Sequence, residues 1–291
     1  MPSTDFRLEL FATETCDAAS FGEGQTFIGV FDVTTDGAGQ AQFDETFSTG
    51  GVDSGWIVTA TATRLDSSGD PVETSEFSQC GELPGSPVVT TTADSGPGSL
   101  REALVFANAN AGPDVISFDI DASVDPGCDP GTGVCTLQAV PPMPGFNAEL
   151  IDGTTQPGAS CASWPPQLKI VFPNTWRPRV TGDNSAIRGL VLFALDVRAN
   201  NTEVTCNFIG TDATGTVVAQ TGGGLVVGGV FGASGNVIGG TAATDRNLIS
   251  GNNTWGLELI SGGTRVQGNF IGTDVTGQSA LPNRLSGIRV S

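Results

Sequence analysis

The sequence predicts an all-β chain in which a small β-sandwich-like module precedes a stack of short parallel strands. Gly 41 and Pro 17 make about a fifth of the 291 residues, while 38% of the residues are hydrophobic. This mixture is too apolar for a disordered linker and too rich in turns for a helical bundle. Two patterns define the parts: residues 1–82 alternate as strands do, and the chain beyond about residue 147 repeats a short unit, which predicts parallel stacking there.

The first module, residues 1–82, contains runs that are typical of half-buried strands. Phe6, Leu8 and Leu10 alternate with charged residues, and residues 26–34 form a second apolar and β-branched run. The segment 56–63 alternates again, with Thr at every second position. Because successive side chains of a strand point to opposite faces, such alternation indicates one face on a core and one in solvent. We predict four or five strands in this module.

A linker at residues 83–87 leads to the second part, residues 88–291. Within it, Ser99 stands where an N-cap is expected and Glu102 follows at the third helical position, which is the capping-box pattern. The apolar residues that follow form one stripe with a helical period. We predict a helix near residues 99–108 that caps the first coil of the stack, because an uncovered end of stacked strands is prone to aggregation.

The second part of the chain is self-similar. The segment 207–215, Asn-Phe-Ile-Gly-Thr-Asp-Ala-Thr-Gly, recurs at 269–277 with Val in place of Ala, and residues 236–240 and 247–251 are shorter variants. A strand this short cannot bury its apolar side alone, whereas stacked coils bury a continuous column. Asn suits the turns between coils because it tolerates a left-handed backbone and can form hydrogen-bonded ladders from coil to coil.

Charge restricts the function of the chain. The formal net charge is −19, from 31 acidic and 12 basic residues, and repulsion from phosphate argues against nucleic acid or an anionic membrane as a partner. The chain contains no His, no Tyr and a single Lys, Lys169. It therefore lacks the usual proton shuttle at neutral pH and the commonest metal ligand.

The six cysteines indicate an oxidising compartment. They form an even number without a Cys-x-x-Cys pair, so disulfides are expected rather than a zinc site. We predict one bridge between Cys16 and Cys80, which lie at the two ends of the first module, and one between Cys128 and Cys135 across a short loop. Whether Cys161 pairs with Cys206 stays open, because they lie on separate segments.

Three passages together resemble a bacterial architecture. Residues 94–103, Asp-Ser-Gly-Pro-Gly-Ser-Leu-Arg-Glu-Ala, resemble the Cys-Ser-Leu-Arg-Glu-Ala segment that opens many bacterial extracellular parallel β-helix domains. Residues 151–158, Ile-Asp-Gly-Thr-Thr-Gln-Pro-Gly, and the Asn-Phe-Ile-Gly-Thr-Asp repeats resemble the coils that follow it, and residues 6–80 are similar to the immunoglobulin-like module found beside such coils. The resemblance implies a right-handed parallel β-helix at 88–291 preceded by an immunoglobulin-like module at 1–82, but no particular activity.

The chain departs from this family in two respects. Gly98 stands where the family segment has its Cys, so a disulfide made there is absent. The chain starts almost at the strand that contains Phe6, and residues 286–291 stop within a coil, so we expect truncation at both termini. Residues 1–5 lack the character of a signal peptide, and no apolar run is long enough to span a membrane. We expect a segment of a longer secreted or cell-surface protein.

A parallel β-helix is also the scaffold of pectate lyases, alginate lyases and polygalacturonases. A lyase needs a basic residue and usually calcium, and Lys169, Arg177 and Arg179 form the one basic cluster, which we interpret as solvated edge residues. A hydrolase needs paired carboxylates on adjacent coils. The candidates by residue type are Asp152, Asp183, Asp196, Asp212 and Asp274. Because Asp212 and Asp274 recur at one repeat position, we interpret them as turn caps.

Other ligands are considered on residue type alone. Trp164, Trp176 and Trp255 could stack on sugar rings if exposed, although packing is the commoner role of Trp. Calcium at the Gly-Thr-Asp turns stays open as a cofactor, although the spacing matches neither an EF-hand nor the Gly-rich calcium nonapeptide. No other cofactor is expected.

We therefore expect a non-catalytic, secreted or cell-surface structural or adhesin-like protein, with no catalytic, cofactor-binding or metal-binding residues. Its partner would be an extracellular polysaccharide or a surface protein, and its oligomeric state is left open. The alternatives are a polysaccharide-active β-helix enzyme (a lyase or glycoside hydrolase) and a carbohydrate-binding module without catalysis. An enzyme should place acidic and basic side chains together on one exposed sheet over two or three coils, whereas a structural stalk should show Thr, Ser, Val and Asn there.

Overall fold

The computed structural model of the chain consists of two compact units, Met1–Gly85 and Ser86–Ser291. The division falls within the predicted linker at 83–87. The residues that the structure describes are 1–13, 16, 21, 24–43, 57–82, 87–109, 114–147, 150–219, 223–228, 233–260 and 262–291.

The first unit contains one antiparallel sheet, sheet 1, in its described part. Its strands are β1 (Asp5–Thr13), β2 (Thr26–Thr34), β3 (Ile57–Leu65), β4 (Pro71–Thr74) and β5 (Gly81–Glu82). They lie in the order β2-β1-β3-β4, and β5 also pairs with β3. The number of strands agrees with the prediction, and Cys16 and Cys80 form the predicted disulfide. The predicted strand at 56–63 is β3, and its first residue, Trp56, lies outside the described residues.

The second unit contains nineteen short strands, one α-helix and two 3₁₀ turns in its described part. The strands are β6 (Val88–Val89), β7 (Val115–Phe118), β8 (Cys128–Asp129), β9 (Val134–Thr136), β10 (Leu150–Asp152), β11 (Ile170–Val171), β12 (Arg179–Val180), β13 (Ala186–Arg188), β14 (Leu190–Leu192), β15 (Ala194–Val197), β16 (Glu203–Thr205), β17 (Phe208–Ile209), β18 (Gly224–Val227), β19 (Val237–Gly239), β20 (Leu248–Ile249), β21 (Trp255–Leu259), β22 (Arg265–Gln267), β23 (Phe270–Ile271) and β24 (Ser286–Val290). The helix is α1 (Leu100–Ala109), and the 3₁₀ turns are Gly153–Thr155 and Ala243–Asp245.

These strands form three sheets that the chain visits in turn. Sheet 2 has the order β22-β19-β16-β13-β10-β7-β6, sheet 3 the order β23-β20-β17-β14-β11-β9-β8, and sheet 4 the order β12-β15-β18-β21-β24. From β10 onward, one passage through sheets 2, 3 and 4 makes a rung, so that rung 1 is β10–β12, rung 2 is β13–β15, rung 3 is β16–β18, rung 4 is β19–β21 and rung 5 is β22–β24. Parallel pairing begins at β6 and β7, earlier in the chain than the repeats predict, and β8 with β9 is antiparallel.

One apolar cluster receives side chains from all three sheets. In sheet 2, Ile151 stands in register with Ile116 on one side and Ile187 on the other, and Val204 and Ile238 continue the column. All five side chains are buried. Burial of one such side chain stabilises a fold by about 1.5–3 kcal/mol, so a strand of two or three residues is stable only as part of the stack.

The helix α1 confirms the prediction made from its capping box. The Ser99 hydroxyl accepts a hydrogen bond from the Glu102 amide at 3.3 Å, and the Glu102 carboxylate accepts one from the Gly98 amide at 2.7 Å. Leu100, Ala103, Leu104 and Ala107 are buried. The helix packs against β6 and β7 at one end of sheet 2. It therefore covers the end of the stack, as a cap should.

Asparagines at the corner between sheets 2 and 3 form the predicted ladder. The side-chain oxygen of Asn247 accepts hydrogen bonds from the backbone and side-chain amides of Asn207, at 2.9 and 3.2 Å. The oxygen of Asn269 accepts the equivalent pair from Asn247, at 3.1 and 2.9 Å. Each side chain thus satisfies backbone groups of the preceding rung that would otherwise be buried without a partner.

The four cysteines of the second part form two bridges. Cys128 and Cys135 form the predicted short-loop disulfide, and Cys161 pairs with Cys206, the pairing that the sequence leaves open. The latter joins the loop after β10 to the residue that precedes Asn207. It therefore ties a long loop to the corner of rung 3.

Asp125 holds the segment that follows β6. Its carboxylate accepts hydrogen bonds from the Thr91 hydroxyl at 2.9 Å, the Thr92 amide at 3.0 Å and the Gly127 amide at 2.9 Å, and also from the Thr92 hydroxyl. Burial raises the pKa of Asp125, and the hydrogen bonds from Thr92, Gly127 and Thr91 outweigh it, so that the pKa lies below its ordinary value.

We expect Asp125→Ala to lower the free energy of unfolding by about 2 kcal/mol at pH 7, since several amide and hydroxyl donors lose their acceptor. A carboxyl with a lowered folded pKa stabilises the fold above its unfolded pKa of about 3.9 and loses that effect as the pH falls through the folded value. The cost of the substitution should therefore shrink in urea unfolding curves recorded near pH 2. Asp119→Ala, at an exposed position nearby, is the control. An equal cost of Asp125→Ala at both pH values would contradict the assignment.

A candidate anion-binding surface on sheet 4

Three arginines converge on one buried carboxylate on the outer face of sheet 4. The Arg177 Nε lies 2.6 Å from one Asp196 oxygen, and a terminal nitrogen of Arg198 lies 3.2 Å from the other. The Arg179 Nε lies 4.0 Å from the same oxygen as Arg198. The Asp196 side chain is 8% exposed and the Arg179 side chain 55% exposed. The acid is therefore enclosed by guanidinium groups, of which that of Arg179 is the most exposed.

The alternation of sheet 4 explains this arrangement. Leu195 and Val197 are buried in the apolar cluster, so Asp196 and Arg198, which alternate with them, lie on the opposite face. Parallel pairing sets Arg179 of rung 1 directly beside Asp196 of rung 2. A charge buried this well is stable only when opposite charges or hydrogen bonds accompany it, and the neighbouring rung supplies them.

Arg177 extends across two further strands. Its terminal nitrogen lies 3.5 Å from the Gly223 carbonyl oxygen and 3.4 Å from that of Gly224 in rung 3. A Cβ at Gly223 would lie 2.9 Å from the guanidinium, and Gly224 has a φ of +69° with its Cβ direction blocked by the Trp255 carbonyl of rung 4. Only glycine therefore fits at position 224, because of its backbone conformation and the blocked Cβ direction. At Gly223, the missing side chain leaves room for the Arg177 guanidinium.

The same face continues to rung 5 and carries two further charged residues, Glu258 and Arg289. In register with Asp196 follow Val226, Glu258 and Arg289. Arg289 lies 3.5 Å from Glu258 and stands over the Trp255 ring with its guanidinium carbon 4.2 Å from the ring centre. Among the described residues, this face carries four arginines against two acids. Its local charge is positive in a chain whose net charge is −19.

The predicted basic cluster is wrong in one member. Lys169 precedes β11 of sheet 3, and its amine donates to the Thr132 carbonyl at 2.5 Å, whereas Arg177 and Arg179 belong to the approach to sheet 4. Arg198 takes its place. Arg198 is not part of the predicted cluster, although its period-2 spacing from Asp196 places both residues on one face of a strand.

The five candidate aspartates occupy four kinds of place. Asp152 pairs with Arg188 on sheet 2; burial raises the pKa of Asp152, but hydrogen bonds from Arg188 and Thr154 outweigh it, so the pKa lies below its ordinary value. Asp183 accepts from the backbone and side-chain amides of Asn200 at the corner between sheets 4 and 2. Asp152, Asp183 and Asp196 thus each have their own arginine, amide or hydroxyl partners.

Asp212 and Asp274 close two equivalent hairpin loops. Asp212 accepts from the Thr214 hydroxyl at 2.8 Å, and Asp274 from the Thr276 hydroxyl at 2.7 Å. Backbone amides at the far side of each loop donate to the same carboxylates. The turn-capping interpretation of both residues is confirmed. In the part of the chain that the structure describes, no three acidic or cysteine side chains gather as a metal site would require.

The three tryptophans are largely engaged in packing. Trp176 is buried and stacks on Phe172, with ring centres 5.7 Å apart, so it cannot meet a sugar. The Trp164 indole donates to the Val275 carbonyl at 2.8 Å. Trp255 is partly exposed but has Arg289 over its ring. Of these three tryptophans, Trp255 is the one whose ring contacts an arginine of the charged face.

Two of the grooves elsewhere on the second unit lie beside loops. One, of about 720 Å³, lies between the loops that contain Asp129 and Asp212, and Thr136, Val171 and Val191 are among its lining residues. The other, of about 500 Å³, lies beside the Cys161–Cys206 disulfide. Both are lined mainly by small, apolar and hydroxyl side chains.

The described part of the chain holds no helix long and apolar enough to cross a membrane. No family model, no curated protein and no solved structure matches the chain. The function must therefore be inferred from the geometry alone.

Proposed function

We propose that this chain is a non-catalytic extracellular or cell-surface protein in which a right-handed parallel β-helix at 88–291 follows an immunoglobulin-like module at 1–82. The observation that carries the proposal is the repeated passage through three parallel sheets, joined rung to rung by asparagines. Strands that return in parallel to one sheet are connected in the right-handed sense in about 98% of cases. The antiparallel sheet among the described residues of the first unit and the Cys16–Cys80 disulfide support an all-β module there.

The distribution of the acids supports a non-catalytic role. Glycoside hydrolysis requires two carboxyl groups on either side of one bond, one of them protonated. Here Asp152, Asp196 and Glu258 each have an arginine partner, and Asp212 and Asp274 cap loops. A lyase needs a deprotonated base, and arginine in an ion pair is a poor one. Each of these carboxylates therefore has its own partner, which is the arrangement expected of structural groups.

Three disulfides support an extracellular location, because such bridges persist in oxidising compartments. The charged outer face of sheet 4 spans several rungs, which is the feature that separates a ligand-binding surface from a plain stalk. It favours carbohydrate binding without catalysis as the second candidate function.

A turnover assay tests the proposal. The full chain would be incubated with polygalacturonate, alginate and a neutral glucan, with and without calcium, and followed by ultraviolet absorbance of unsaturated products and by a reducing-end assay. We expect no product from any polymer. Sustained product formation that is lost in Arg177→Gln, Lys169→Gln or Asp212→Asn would overturn the non-catalytic role, and product that persists in all three variants would point to a contaminant.

A further inference from the structure

We propose that the outer face of sheet 4, around Arg177, Arg179 and Arg198, binds the carboxylate or sulfate groups of an acidic saccharide. The inference rests on the proposed extracellular role and names the ligand class of that role. It starts from a charge imbalance: three guanidinium groups surround a single carboxylate, Asp196, so two positive charges have no acidic partner within the cluster.

Donor geometry supports an oxyanion as the ligand. Each guanidinium has five N–H donors in a planar fork that matches the two oxygens of a carboxylate or sulfate. The Arg179 Nε lies 4.0 Å from Asp196, and its side chain is 55% exposed. Arg177 and Arg198 are each 39% exposed and lie 2.6 and 3.2 Å from the same acid. Because the buried acid holds Arg177 and Arg198 in place from below, an anion that binds them orders these two side chains little further.

The length of the face supports an extended ligand. Asp196 of rung 2 is followed in register by Val226 of rung 3, Glu258 of rung 4 and Arg289 of rung 5, and neighbouring strands lie about 4.8 Å apart. Arg289 therefore places a further cation at rung 5, three strands away from Asp196. A chain that carries an anionic group on successive sugars can meet both ends of this face, whereas a single free ion can meet only one.

The net negative charge of the chain outside this face does not prevent such binding. Residues 1–85 contain 15 of the 31 acidic residues but only two of the 12 basic ones, so most of the net charge belongs to the first unit. Exposed charges more than about 8 Å apart are largely screened at physiological ionic strength.

Calorimetric titration of the full chain tests the proposal, with four probes: oligogalacturonate for carboxylates, a heparin oligosaccharide for sulfates, a neutral maltooligosaccharide and single-stranded DNA. We expect one or both acidic saccharides to bind at low salt and to bind less tightly at high salt, with no binding of the neutral probe. Arg179→Gln should weaken binding by at least about 5-fold. This exposed side chain is 4.0 Å from its acid, so its loss should leave the fold intact. Val226→Arg, which adds a cation between Asp196 and Glu258, should strengthen it.

The matched control is Arg265→Gln, which removes an exposed arginine from sheet 2 instead. The proposal is overturned if no acidic saccharide binds, if Arg179→Gln and Arg265→Gln weaken binding equally, or if the DNA binds more tightly than both saccharides. Absence of binding would leave the non-catalytic structural role intact, whereas bound saccharide that is cleaved would overturn that role and keep the binding site. The two failures are therefore distinguishable.

Discussion

Replacing Asn247 by Ala should destabilise the second unit by about 4 kcal/mol, one of the two largest effects that we expect. Its side-chain oxygen accepts two hydrogen bonds from Asn207, and its side-chain amide donates to the Val204 carbonyl at 2.7 Å and to Asn269 at 2.9 Å. Asn247 is fully buried, so water cannot replace these bonds. A buried hydrogen-bonding group that loses its partner costs about 1–3 kcal/mol.

Urea unfolding of the full chain, followed by tryptophan fluorescence, measures this effect. Asn253→Ala is the matched control, because Asn253 is exposed and has one weak contact, to Arg284 at 3.4 Å; we expect a change within about 0.5 kcal/mol there. Asn247→Asp should also destabilise strongly at neutral pH, because a buried anion would face the Val204 carbonyl. Equal, small effects of all three substitutions would show that the ladder does not stabilise the stack.

Removing the Cys161–Cys206 disulfide by the double substitution to Ala should cost a similar amount. The bridge closes a loop with a sequence separation of 45, for which the chain-entropy model gives about 4 kcal/mol. It also anchors the segment that contains Trp164, whose ring contacts Phe208 and Phe270 at 6.1 and 5.5 Å. Loss of the bridge should therefore also expose Trp164.

The second native bridge of this unit is the control for that experiment. Cys128 and Cys135 have a sequence separation of 7, so the same model gives about 2 kcal/mol for their removal. Urea unfolding of the two double variants compares them directly, and fluorescence quenching reports exposure of Trp164. A larger loss from the Cys128–Cys135 variant would contradict the view that Cys161–Cys206 is the main covalent constraint of the unit.

Much of the fold was predictable because its signals are local. The capping box around Ser99 and Glu102 determines one helix by itself, and the repeated Asn-Phe-Ile-Gly units determine where strands and corners fall. The pairing of Cys161 with Cys206 was not predictable, because it depends on how far a long loop travels before it meets rung 3. No local pattern encodes that distance.

The candidate site was predictable only in part, for a related reason. Arg177 and Arg179 stand close together in the sequence, but their partner Asp196 belongs to the next rung, and the number of residues per rung varies. Lys169 was included because sequence proximity suggested a cluster, although a corner between sheets separates it from the arginines. Outer-face clusters of a stack are set by register between rungs, which sequence alone leaves open where the repeats are irregular.

Nuclear Overhauser contacts between side-chain amide protons report whether the rungs stack in parallel through asparagines at one corner. Asn207, Asn247 and Asn269 are separated by 40 and 22 residues, so only stacking can bring their amides together. In the isotope-labelled full chain we expect contacts between Asn207 and Asn247 and between Asn247 and Asn269, and none between Asn207 and Asn269. Resolved amide signals without the Asn207–Asn247 and Asn247–Asn269 contacts, or with a direct Asn207–Asn269 contact, would contradict the stack.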